Sequence, residues 1–176
     1  NTNIGILLTM YSGMRIGEIC ALKWSDIDLQ SGIIRISKTV QRINDKIGNS
    51  KTKIIVGSPK SRTSEREIPI PNFLVNILNE RRQNENNYIL SGTHKLIEPR
   101  TMQNRFKSVL KKCGIRNVNF HLLRHTYATV CIENGFDAKT VSELLGHSNV
   151  NITLNRYVHS SLDTKKKYVE KLNFVA

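Results

Sequence analysis

A chain of 176 residues and 20.1 kDa, 39% hydrophobic with a mean hydropathy of −0.34, can bury one sizeable core and is not the composition of a disordered segment. Its longest apolar runs, such as Ile4–Leu8, fall far short of the ~20 residues that span a bilayer, so no membrane role is expected. Lys and Arg number 27 against 14 Asp and Glu, a net charge of +13, which points to a polyanion such as nucleic acid ahead of a merely solubilising surface or an anionic membrane.

The N-terminal residues Ile4, Leu7, Leu8 and Tyr11 repeat at helical spacing until Ser12-Gly13 interrupts them. A second short helix is expected over Met14–Leu22, followed by a turn at Trp24-Ser25-Asp26-Ile27. The period then changes to two. Strands are expected over Ile33–Lys38 with Val40 and Ile43 following in the same strand, at Ile54–Val56 and at Glu67–Ile70, separated by the polar run Asn44–Thr52 and the turn Pro59–Thr63. Together they make a small three-stranded antiparallel sheet, marginal alone and stable once packed on helices. After Pro71 the pattern is helical: Phe73–Leu78, Thr101–Cys113 closed by Gly114, and Phe120–Asn134 closed by Gly135. Next come a helix capped by Asp137 and carrying Val141, Leu144 and Leu145, a short helix Asn151–Tyr157, and a last one over Ser161–Leu172. The fold class is therefore mainly α with one small antiparallel sheet. Asn1–Gly5 has no basic n-region and no initiator Met, and reads as the interior of a longer chain.

Cys20, Cys113 and Cys131 are scattered and form no C-x-x-C pair, so neither a zinc knuckle nor a disulfide framework is indicated, and a reducing cytoplasm is the default. Two constellations could carry chemistry. His121 and His125 stand at i, i+4, as in zinc hydrolases, yet the Glu that such a site needs after its first His is Leu122 here. The second set is Arg15, Lys60, His121, Arg124, His147 and Tyr157. Forked guanidiniums match the non-bridging oxygens of a phosphodiester, and donors aimed at developing charge can be the largest catalytic contribution. A phenol of pKa about 10 needs a base or a positive field to attack at neutral pH, and a departing alkoxide needs a proton donor. The set describes covalent phosphoryl transfer to a tyrosine, with no metal and no cofactor called for.

The motifs Ser12-Gly13-Met14-Arg15-Ile16-Gly17-Glu18-Ile19, Pro59-Lys60-Ser61, His121-Leu122-Leu123-Arg124-His125-Thr126, Leu144-Leu145-Gly146-His147-Ser148 and Tyr157 resemble, in this order and spacing, the catalytic domain of the tyrosine recombinases, the phage-integrase family. The likeness is greatest to integrases of Gram-positive phages and conjugative transposons. It implies that Arg15 and Arg124 clamp the scissile phosphate, His147 donates to a non-bridging oxygen, and Lys60 protonates the leaving 5′-oxygen. His121 would be base or proton relay, and Tyr157 the nucleophile that forms a 3′-phosphotyrosyl link. It also implies a catalytic domain over residues 1–160 and a tail helix over 161–176 that can dock on a neighbouring protomer. The core-binding domain that precedes the catalytic domain in the family is absent from this chain. Double-stranded DNA attachment sites, a homotetramer on DNA and a directionality factor are the implied partners, and integration and excision of a mobile element the implied setting. Chromosome-dimer resolution uses the same chemistry; a type IB topoisomerase fits the motifs less well. A non-catalytic DNA-binding regulator and a zinc hydrolase are the rivals from other classes.

Beside these residues stand others with plainer expectations. Glu18 either orients Arg15 or forms an ordinary surface ion pair with it. Arg62 and Arg66 read as phosphate contacts or solvated charge. His125 reads as a core histidine bonded to backbone, and Trp24 as a packing anchor.

Overall fold

The computed structural model describes residues 1–45, 51–58, 62–157, 166, 169 and 170. Seven helices lie among them: α1 (Thr2–Ser12), α2 (Ile16–Ala21), α3 (Asn72–Asn79), α4 (Pro99–Lys112), α5 (His121–Glu133), α6 (Ala138–Leu145) and α7 (Val150–Tyr157). Five short strands, β1 (Ile27–Asp28), β2 (Ile33–Ile36), β3 (Thr39–Asn44), β4 (Thr52–Gly57) and β5 (Arg66–Pro69), complete the mainly helical fold. Among the described residues no helix is long and apolar enough to cross a membrane. Most of the expected helix Ser161–Leu172 lies outside the described residues, as do Pro59, Lys60 and Ser61 of the expected turn; within the helix Lys166 and Val169 are helical, and the Glu170 N–H donates to the Lys166 carbonyl at 2.9 Å.

The strands do not form the single sheet expected. A three-stranded antiparallel sheet has the order β1-β2-β5, with Ile34 opposite both Ile27 and Ile68. Ile54–Val56 is not in it. That segment pairs instead with β3 as a separate two-stranded ribbon, in a register that runs from Thr39 opposite Gly57 to Asn44 opposite Thr52. Asn44 and Thr52, read as the two ends of a spacer between sheet strands, are thus directly paired with each other. Ile27, read as part of a turn, is the edge strand that follows a 3-10 turn at Trp24–Asp26.

α1 is the central helix and packs against α2, α4 and α5. Leu8, Met14, Ile19, Ile34, Ile68, Leu74, Leu78, Met102, Phe106 and Phe120 fill the main core around it. A fully buried Leu side chain contributes roughly 1.5–3 kcal/mol, so this cluster supplies most of the domain's cohesion. A smaller cluster, Ala128, Cys131, Val141 and Leu145, joins α5 to α6, and Tyr127 and Tyr157 pack on its margin. Through Tyr157 the second cluster joins α7 to α5 and α6.

Helix ends are set by local chemistry. α1 stops at Gly13, whose φ of 64° is left-handed and whose N–H returns to the Thr9 carbonyl. α4, α5 and α6 each close with a pair of backbone bonds around a left-handed glycine: Gly114, Gly135 and Gly146. The Asp137 carboxylate accepts from the Thr140 N–H at 2.9 Å and caps α6, as expected.

Candidate active site

Arg15 is not the second residue of a helix, as the expected span Met14–Leu22 would make it. It is extended, with φ −74° and ψ 152°, and stands as the N-cap of α2. Glu18 fixes it there. One carboxylate oxygen accepts from the Arg15 backbone N–H at 2.9 Å, and the other from Arg15 Nη1 at 2.8 Å. Arg15 Nη2 donates to the Gly146 carbonyl at 2.9 Å, which ties the start of α2 to the end of α6.

Glu18 is only 2% exposed, so its ion pair with Arg15 is not a surface one. It is shared with Arg66, whose Nη2 and Nη1 lie 3.0 and 3.2 Å from the two carboxylate oxygens. Burial alone would raise the Glu18 pKa; the hydrogen bond and charge of Arg66, followed by Arg15, overcome it and hold the carboxyl below its ordinary value. Arg66 itself is 6% exposed, and its Nε donates to the Leu144 carbonyl at 2.6 Å. The expectation of a solvated or phosphate-contacting Arg66 is therefore corrected: it is a buried brace between β5, α2 and the end of α6.

Arg124 is 2% exposed on α5, and its Nη1 donates to the Gly13 carbonyl at 2.9 Å. Burial, then repulsion from Arg15, lowers its pKa to about 9, which leaves it charged at neutral pH. The two arginines are thus anchored alike, each on the carbonyl of a glycine in the left-handed region. With five N–H donors per guanidinium, both retain donors for an incoming oxyanion.

His147 follows Gly146 directly, and its own N–H, bonded to the Ser142 carbonyl, completes the α6 closure. Its Nδ1 meets the hydroxyl of fully buried Thr153 at 2.8 Å. In the tautomer in which Thr153 donates, Nε2 carries the proton and can donate to a phosphate. Burial, then Arg124, Arg15 and Arg156, lowers the His147 pKa to about 4. His121 opens α5 on the exposed rim, and its pKa is likewise lowered to about 4 by lost hydration, then by His125, Arg124, Arg156 and Arg15. Both rings are neutral at physiological pH.

Tyr157 ends α7 with its ring half-buried. Its hydroxyl lies 2.7 Å from Nδ1 of His125. Burial raises the phenol's pKa, against the opposing charges of Arg124 and Arg156. The expectation that His125 is a core histidine bonded to backbone is corrected: its partner is the tyrosine hydroxyl. The His121 and His125 rings meet edge to face at 4.5 Å. Among the described residues, no three His, Cys, Asp or Glu side chains are grouped to hold a metal ion.

The fold therefore gathers Arg15, His121, Arg124, His147 and Tyr157, drawn from the start of α2, from α5, from the end of α6 and from α7, into one cationic cluster. Lys60 is outside the described residues. Sequence reasoning missed Thr153 and Arg156, and misread the partners of Arg66 and His125. For Thr153 and His125 the signal was available as spacing: six residues after His147 and one after Arg124.

Residues 2–163 match the phage integrase family. A tyrosine recombinase XerC-like protein of Caldanaerobacter subterraneus subsp. tengcongensis is 36% identical over 95% of this chain and 48% of its own. The transposase of transposon Tn916 from Enterococcus faecalis is 25% identical over 96% of this chain and 44% of its own. The integrase of transposon Tn1549, solved in complex with circular intermediate DNA, shares the fold with a TM-score of 0.76 at 23% identity, over 97% of this chain and 59% of that one. XerA recombinase superposes with a TM-score of 0.65 at 25% identity, over 97% of this chain and 58% of that one. A mainly helical domain with small antiparallel sheets and a tyrosine set among arginines is what tyrosine recombinases use as their catalytic domain. This chain belongs to the phage integrase family, and it spans about half the length of the curated relatives it matches.

Proposed function

We propose that the chain is the catalytic domain of a site-specific DNA recombinase that cleaves and rejoins strands through a 3′-phosphotyrosyl intermediate. The observation that carries this reading is Tyr157, held at the end of α7 against an imidazole and within the fields of Arg124 and Arg156. Arg15 and Arg124 clamp the scissile phosphate. His147 donates to a non-bridging oxygen through Nε2. The Tyr157 oxygen forms a bond to phosphorus as the bond from phosphorus to the 5′-oxygen breaks, with His121 as base or proton relay. Lys60, on its motif alone, protonates the leaving 5′-oxygen. A free 5′-hydroxyl from the partner strand then reverses the step. One phosphodiester-like bond replaces another, so no ATP, metal or cofactor is required.

Double-stranded DNA attachment sites are the substrate, supported by the +13 charge and by the DNA complexes of the Tn1549 integrase. A mobile-element setting is supported by the Tn916 and Tn1549 relatives. The cytoplasm, a homotetramer on DNA, a directionality factor and a core-binding domain elsewhere in the protein complete the proposal. Within the chain, residues 1–160 form the catalytic domain and 161–176 a tail that docks in trans. Deleting residues 163–176 should weaken assembly on DNA; unchanged assembly would make the tail local packing.

The test is a nicked suicide DNA substrate cut from the attachment site, with covalent complex read on a denaturing gel in EDTA. The intact protein should form the adduct, and Tyr157→Phe should bind the same DNA without forming it. Adduct at full level in Tyr157→Phe would remove this tyrosine from the reaction.

A further inference from the structure

We infer that His125, rather than His121, is the group that takes the proton from Tyr157 when the strand is cut, an inference that rests on the recombinase reading above. The six motif residues leave this histidine without a task, yet its Nδ1 lies 2.7 Å from the Tyr157 hydroxyl, within reach for direct transfer. In the tautomer with Nδ1 unprotonated, the phenol donates to it. His121 stands one helical turn earlier, edge to face with the His125 ring at 4.5 Å, and so is placed beside the base rather than against the nucleophile. The rings of His125 and Tyr157 are held on two packed helices, α5 and α7, with centroids 5.8 Å apart.

The proton balance follows. As the Tyr157 oxygen bonds to phosphorus, its proton passes to His125 Nδ1, which becomes an imidazolium. The 5′-oxygen leaves with a proton from the acid on its own side, Lys60 in the reading above. When a 5′-hydroxyl attacks the phosphotyrosine, the imidazolium returns its proton to the departing phenolate. The groups that face His125 are His121 and Arg124 on its own helix and Arg156 and Tyr157 on α7. Burial, then Arg156 and Arg124, lowers its pKa in the DNA-free protein, so it is a weak base there. A phosphodiester held between Arg15 and Arg124 offsets that positive field. The base thus strengthens when substrate is in place, and the tyrosine stays protonated until then.

The experiment uses the intact protein and compares single-turnover adduct formation on the nicked substrate with the same substrate carrying a 5′-bridging phosphorothioate, whose thiolate leaves without a general acid. His125→Asn keeps a polar atom near the Nδ1 position but cannot take a proton; His125→Ala keeps neither. Both should bind DNA normally and form adduct on the order of 100-fold more slowly or worse, and the phosphorothioate should restore neither. An Asn variant within about 3-fold of the unaltered protein would make His125 a positioning residue and overturn its role as base. Rescue by the phosphorothioate would also overturn it, by placing His125 on the leaving-group side. Should the Ala variant fail to fold, the Asn variant decides alone. These failures are distinct from that of the recombinase reading, which would show as no adduct from the unaltered protein or as adduct from Tyr157→Phe.

Discussion

Glu18 sits buried between two guanidiniums, and its removal should be felt well beyond one ion pair. Glu18→Gln leaves Arg66 buried without its countercharge and frees Arg15. Breaking a buried pair in this way costs about 3–5 kcal/mol, to be read as a lowered midpoint in denaturant. Glu67→Gln, which removes an exposed partner of Arg35 at 3.1 Å, should change stability by only ~0–1 kcal/mol. Acid should act on the same cluster. His121 and His147 stay neutral in the folded domain down to about 4, whereas in the unfolded chain they take up protons near their ordinary value of about 6.5. Between those values the unfolded state binds more protons, so stability falls as pH falls through that window. The lowered Glu18 pKa works in the same direction at still lower pH. Imidazole resonances followed by NMR should show both histidines titrating far below pH 6; ordinary midpoints would contradict a cationic cluster around them. That Arg15, Arg124, His147 and Tyr157 belong together was legible from their order and spacing. That Arg66 is a brace was not, because a charged residue in a polar turn looks solvated until the fold brings a buried carboxylate to it.

Two helix-ending glycines do more than stop their helices. Gly13 and Gly146 turn the chain left-handed and thereby present their carbonyls to Arg124 and Arg15. A Cβ at Gly146 would lie 3.0 Å from Arg66 Nη1 and 3.1 Å from the Thr63 carbonyl, whereas one at Gly114 would meet nothing within 4 Å. Gly114→Ala should therefore cost only the left-handed strain, roughly 1–2 kcal/mol. Gly146→Ala should cost more and also lower adduct formation, because Arg15 and His147 both lean on that turn. Equal stability losses, measured by thermal unfolding, would show that the crowding at Gly146 is harmless. Helices were the more legible elements, since period and caps are local. The start of α2 was missed because Met14 and Arg15 read as helical until the left-handed Gly13 is known. Sheet membership was missed for a related reason. Alternation marks Ile54–Val56 as a strand, but pairing is decided by where the chain returns, which alternation does not carry.

At the scale of the molecule, the charge and the site agree. In the proposed function, the net charge of +13 draws the domain to a polyanion and the anchored arginines select one phosphate from it. The core built on α1 and the smaller cluster between α5 and α6 fix the two halves of that site against each other, with Tyr157 on the margin of the second. The sequence held the composition and the motif order that lead to this arrangement. The proton path did not show there, because a histidine next to Arg124 gains its meaning only when α7 folds back across α5. The central claim is that Tyr157 becomes the covalent link to DNA. It is tested most directly by trapping the adduct on nicked DNA, trimming the nucleic acid with nuclease and mapping the tryptic peptides by mass spectrometry. The nucleotide remnant should reside on Tyr157, in the peptide that follows Arg156; a remnant on Tyr127, Tyr168 or any other residue would contradict the account.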